Sequence, residues 1–135
     1  MMLGIGIDVV QIPRIAELVA AQGDKFAQRI LAPQEITLSK KYKDAQYIAF
    51  LARRFAAKEA VAKALGTGIG QAVAFQDIIV LKEESGAPVL MRTPKLDAAL
   101  RARFPAARDY ALLVSLSDDY PIAIAMATIS AEIAF

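Results

Sequence analysis

At 135 residues the chain is long enough for one domain with a buried core, expected over 1–135, and too short for two of ordinary size. Hydrophobic residues make up 56% against 22% charged and mean hydropathy is +0.40; no apolar run reaches the roughly 18 residues of a membrane span and no signal-peptide pattern opens the chain, so the surplus points to an oligomer interface in a cytoplasmic protein. Sixteen basic against 14 acidic residues leave +2, too little for a partner whose main feature is a nucleic-acid backbone, and zero Cys and zero His exclude thiolate and imidazole chemistry, Ser-His-Asp triads included.

Residues Leu3 to Val10 alternate, which predicts a strand with Leu3, Ile5, Ile7 and Val9 on one face and Gly4, Gly6, Asp8 and Val10 on the other. Pro13 can open a helix running to Ala21, and a second helical stretch is expected after Pro33, with Gly23-Asp24 separating the two. From Gln46 to Leu65 the chain is rich in Ala, Leu, Lys, Arg and Glu without Gly or Pro, and Gly66 stands at the place of a C-terminal cap. The runs Asp77–Lys82 and Pro88–Arg92 predict a hairpin, followed by a short helix from Pro94 to Phe104. Tyr110–Ser117 and Ile122–Ile133 predict two further strands around a turn at Asp118-Asp119, with apolar residues on both faces. The expected class is α+β, an antiparallel sheet packed with one long helix and shorter ones.

A helical wheel through the long helix gathers Ile48, Leu51, Phe55 and Ala62 into one stripe with Glu59 in its middle. A carboxylate on a buried face needs a partner, a proton or a metal. Lys63, one turn on, offers an ordinary i,i+4 ion pair. Asp8 shares its strand face with two glycines, whose missing side chains let a helix or ligand approach, so Asp8 and Glu59 could converge on a hard cation such as Mg²⁺. The alternative for Asp8 is a turn or cap residue ahead of Pro13. Gly66–Gly70, GTGIG, is either a helix cap and turn or a phosphate-facing loop; its glycines close a helix, so it is no Walker A motif. Arg53-Arg54 and Lys40, Lys41 and Lys43 read as solvated basic faces, and a binding module using Arg53-Arg54 for an acidic partner is the principal alternative to an enzyme.

In combination, GIGIDVVQIPRI (Gly4 to Ile15) and FLARRFAAKEAVAKALGTGIG (Phe50 to Gly70) resemble the two signature segments of the holo-acyl-carrier-protein synthase type of 4′-phosphopantetheinyl transferase, and the resemblance continues through Phe75–Leu90 and Val114–Ile129. It implies Mg²⁺-dependent transfer of the phosphopantetheine arm of coenzyme A to an acyl carrier protein, within fatty acid biosynthesis. It further implies Asp8 and Glu59 as metal ligands, Glu59 and Lys63 as catalytic groups, and Arg54, Lys63, Gly66, Thr67 and Gly68 as the coenzyme A site. Arg14 would lie on the carrier-docking helix, and the enzyme would be a homotrimer with active sites at subunit interfaces. Two departures stand out: Asp118 occupies a position where many relatives carry His, and Thr93-Pro94 a position where Gly is common.

Overall fold

The computed structural model describes residues 1–133. The chain runs β1 (Met2–Gln11), α1 (Ile12–Gln22), α2 (Asp24–Ile30), α3 (Pro33–Ser39), α4 (Asp44–Leu65), β2 (Val80–Lys82), β3 (Pro88–Leu90), α5 (Pro94–Arg103), β4 (Ala107–Asp119) and β5 (Ile122–Ile133). Strands β1, β5 and β4 form an antiparallel sheet in that order, and β2 pairs with β3 in a separate hairpin. The α+β class is as the sequence predicts.

Helix α4 lies unusually close to the sheet because both surfaces are made of small residues. Gly4 and Gly6 of β1 rest on Ala60 and Ala64 of the helix, β5 also packs on α4, and Ala123, Ala125 and Ala127 of β5 and Ala56, Ala57, Ala60 and Ala64 of the helix are all buried. A Cβ on Gly6 would lie 2.7 Å from the Ala64 amide nitrogen and closer still to the Ala60 carbonyl oxygen; one on Gly4 would strike the Ala64 carbonyl. The bare strand face read from the sequence is thus the face against which the helix backbone rests. Gly66 ends α4 at φ +81°, a left-handed cap that glycine adopts without strain.

The structure corrects the sequence expectation in three places. The segment around Gly23-Asp24 is not only a break between helices, because it opens α2; Phe26 and Ile30 of that helix are fully buried, so tertiary packing supports a helix too short to be stable alone. Strand β4 extends beyond the expected range to Asp119, and the turn falls at Tyr120-Pro121, where Pro121 accepts a bond from the Ile12 amide at 2.8 Å. The hairpin is also shorter than predicted, because Phe75–Asp77 coils into a single 3₁₀ turn.

The last two strands are covered on one face only. Leu112, Val114 and Leu116 turn toward the core, whereas the other side of the sheet carries exposed Ile5, Ile7, Val9, Leu113 and Met126. The register places Ile7 beside Met126 and Ile5 beside Thr128, which itself pairs with Leu113, so these residues form one apolar face. Among the described residues no helix is long and apolar enough to cross a membrane.

Candidate active site

Asp8 and Glu59 come together at the end of the cleared strand face. They line one cavity of about 570 Å³ with Arg14, Leu18 and Phe55. Gly6 lets α4 settle against β1, Asp8 follows two residues later on the same face, and Glu59 immediately precedes the Ala60 carbonyl on which Gly6 packs. The sheet and helix therefore set the two carboxylates without any loop.

The helical wheel predicts Glu59 in the middle of a buried stripe, but it sits half-buried at the cavity edge. An amphipathic reading assumes one wet face, whereas α4 is enclosed by the sheet, α1, the β2–β3 hairpin and α5. The fully buried charges of the helix are instead Arg54 and Lys58. The expected Glu59–Lys63 pair is not formed either. Lys63 reaches across to β1, donating to Asp8 Oδ1 at 2.9 Å and to the Ile7 carbonyl at 3.0 Å. Asp8 is thus neither a turn nor a cap residue.

Burial pushes the Glu59 carboxyl above its ordinary value of 4.5; the neighbouring Asp8 charge adds to this and Lys63 opposes it. A carboxyl whose proton affinity rises on folding supports stability below its unfolded pKa and loses that contribution as pH rises through the folded pKa. Metal-free protein should therefore lose urea resistance as pH rises through the range above 4.5, and Glu59→Gln should remove that step. Parallel pH profiles for parent and variant in the presence of a chelator would contradict this.

The remaining predicted site residues fall in two places. Arg14 is exposed on α1 and opens onto the Asp8–Glu59 cavity. Gly66, Thr67 and Gly68 follow Lys63 at the end of α4, but the Gly66 and Gly68 amides donate to the Lys63 and Ala62 carbonyls at 3.0 and 3.2 Å. Those two amides close the helix, so the turn can offer a ligand only its remaining groups.

Arg54 lies elsewhere, and its environment differs from the solvated face expected. Its residue is 2% exposed, its guanidinium stacks 4.5 Å from the Phe50 ring centroid, and its Nε donates to the Val80 carbonyl at 3.1 Å. Nη2 has no partner among the described residues. With Arg53, Lys82 and Asp118, Arg54 lines a second cavity of about 230 Å³. Asp118, the departure noted in the sequence, pairs with Arg53 at 3.1 Å. It therefore holds the neighbouring Arg53 guanidinium in place. Thr93 holds the other departure in place, since its hydroxyl caps α5 by accepting from the Leu96 amide at 3.2 Å and donates to the Asp77 carbonyl at 2.7 Å.

The sequence reading missed the most heavily bonded charges among the described residues. Lys58 Nζ donates to Glu35 Oε1 at 2.7 Å, to the Phe75 carbonyl at 2.9 Å and to the Ile78 carbonyl. Burial lowers the lysine pKa and the Glu35 charge opposes that shift. A signal was present: Arg54 and Lys58, four residues apart on one helix, are like charges that call for a carboxylate from another element.

Comparison with known proteins agrees over nearly the full chain. Residues 4–125 match the family model of the 4′-phosphopantetheinyl transferase superfamily. A holo-[acyl-carrier-protein] synthase of Orientia tsutsugamushi (strain Ikeda) is 42% identical over 133 residues, 98% of this chain and 100% of that protein. The crystal structure of the Neisseria meningitidis holo-[acyl-carrier-protein] synthase superposes with a TM-score of 0.84 at 36% identity, covering 96% of this chain and 99% of that one. The Helicobacter pylori enzyme, solved in complex with coenzyme A, gives 0.78 at 36% identity over 93% and 99% of the two chains.

Proposed function

The chain belongs to the 4′-phosphopantetheinyl transferase superfamily, as a holo-[acyl-carrier-protein] synthase, and from that premise we propose that it transfers the 4′-phosphopantetheine arm of coenzyme A to a serine of an apo-acyl carrier protein, releasing 3′,5′-ADP, at the Asp8–Glu59 cavity and with Mg²⁺ bound there. The observation that carries this reading is the shared cavity itself, which sets two carboxylates and an exposed arginine on one opening.

The donor set suits magnesium. Among the described residues no cluster of three or more carboxylate, His or Cys groups exists, so a fully protein-built cage is not available. Mg²⁺ commonly takes only one or two carboxylates and completes its octahedron with waters and substrate phosphates. Asp8 and Glu59 would hold the ion, which when bound supplies charge stabilisation at the coenzyme A pyrophosphate.

The chain's own groups account for the rest of the chemistry. Lys63, anchored on Asp8 and half-exposed, keeps a cation beside the place where negative charge develops. The serine oxygen attacks the β-phosphorus, the bond to the 3′,5′-ADP oxygen breaks, and the serine proton passes to the Glu59 carboxylate directly or through water. Arg14 would receive the carrier, while the Gly66-Thr67-Gly68 turn and Arg54 would contact coenzyme A.

Arg54 and Glu59 are five residues apart on α4, so they point about 140° from one another, and they line separate cavities. A coenzyme touching both groups is best accommodated between neighbouring subunits, with the open apolar sheet face as the contact. The expected assembly is a homotrimer. Light scattering at micromolar concentration should give three times the 14.5 kDa chain mass, and Ile7→Lys, which puts a charge on the exposed face, should reduce it. A monomer mass for the parent protein would contradict this assembly.

The reaction is tested by incubating the enzyme with apo-carrier, coenzyme A and Mg²⁺ and weighing the carrier. Gain of one phosphopantetheine arm is expected; an unchanged carrier mass with folded enzyme would overturn the reading.

A further inference from the structure

The buried pair Glu35–Lys58 touches neither cavity, yet one of its bonds leads to Arg54. Both side chains are fully buried. Lys58 spends its three N–H groups on Glu35 and two carbonyls. Glu35 accepts from the Ala32 amide through Oε1 at 2.9 Å and from the Val80 amide through Oε2 at 3.0 Å. The carbonyl of that same Val80 accepts from Arg54 Nε at 3.1 Å. One residue of β2 thus carries Glu35 on its nitrogen and Arg54 on its oxygen. The guanidinium is held between this carbonyl and the Phe50 ring, and Nη2 is left unpaired among the described residues.

A buried ion pair is an inefficient way to stabilise a core, since apolar side chains of similar volume often do as well or better. A geometric role accounts better for its presence. We propose that Glu35, itself fixed by Lys58, is a positioning residue that sets the Arg54 guanidinium for an anionic group of coenzyme A by holding the backbone of β2 at Val80 in place. This rests on the reading that Arg54 contacts coenzyme A. Lys58 and the catalytic carboxylate Glu59 are adjacent in sequence but serve different ends: the lysine ties α4 to α3 and to the segment leading into β2, and the carboxylate faces β1.

The test uses full-length enzyme, coenzyme A as the calorimetric probe, and three variants. Arg54→Gln should weaken coenzyme A binding at least about tenfold, the scale of a lost charge-assisted hydrogen bond. The double variant Glu35→Met/Lys58→Met removes both buried charges together and should keep a parent-like Tm, while coenzyme A binding weakens about threefold or more and KM for the carrier stays unchanged. Glu35→Gln, which preserves shape and loses the charge, should shift coenzyme A affinity in the same direction, and it alone decides the matter if the double variant does not fold. Weakened binding in Arg54→Gln together with parent-like affinity in the folded double variant, or in Glu35→Gln, would overturn the positioning role alone. Equal weakening toward coenzyme A and carrier would overturn it as well, since that marks general loosening. Unchanged affinity in Arg54→Gln would overturn the underlying reading of Arg54, and this inference with it.

Discussion

Glu59→Gln and Asp8→Asn should each lower the rate of carrier modification at least about a hundredfold, because even groups that merely orient metal ligands cost about 10–100-fold when removed. Each change keeps side-chain volume nearly constant and removes one negative charge, so a loss of this size would come from chemistry and not from packing. The two variants should differ in their effect on Lys63. Asp8→Asn takes away the charge that Lys63 meets at 2.9 Å, leaving the ammonium held by the Ile7 carbonyl and a neutral amide. Glu59→Gln leaves that pair intact. Asp8→Asn should therefore also raise KM for coenzyme A, if Lys63 serves the phosphates, whereas Glu59→Gln should act mainly on kcat. Circular dichroism matching the parent is required of both, and near-parent turnover in either would remove that residue from the site.

Gly6→Val should abolish folded protein altogether. The added Cβ would meet helix backbone, with the Ala64 nitrogen at 2.7 Å and the Ala60 carbonyl closer, and backbone cannot rotate aside as a side chain does. Overpacked cores ordinarily lose about 1–3 kcal/mol when side chains can rearrange. Here α4 would have to lift from the sheet along its length, separating Asp8 from Glu59 and exposing the alanine contacts of β5, a cost comparable with the roughly 5–15 kcal/mol that holds a domain folded. Gly70→Ala is the control, since a Cβ there meets nothing within 4 Å and its φ is not in the left-handed range. Soluble Gly6→Val protein with a parent-like thermal transition would show that the helix is not packed as described.

A strand face open to close approach is legible in the sequence because a two-residue alternation with Gly4, Gly6 and Asp8 on one face is a local pattern, and so is the helix that supplies Glu59; that α4 is the element resting on it is tertiary information. What a helical wheel cannot give is the enclosure of α4 on several sides, which depends on where α1, the hairpin and α5 fold back. For that reason it sets Glu59 too deep, and Arg54 reads as too shallow. The Glu35–Lys58 pair spans 23 residues and joins elements whose adjacency no periodicity encodes. Lys63 receives the wrong partner for a related reason: the i,i+4 rule weighs only the helix, and the strand offers both a carboxylate and a carbonyl. Asp118 stands out in the sequence as a departure, but its pairing with Arg53 across 65 residues is tertiary information.

The shared role of the two carboxylates is tested most directly by a double-mutant cycle on the transfer rate at saturating Mg²⁺, comparing Asp8→Asn, Glu59→Gln and the combined variant by carrier mass. If both residues serve one ion, the combined variant should be little slower than the slower single variant, because groups that act as a unit are strongly non-additive. Independent, multiplicative losses would contradict a shared site.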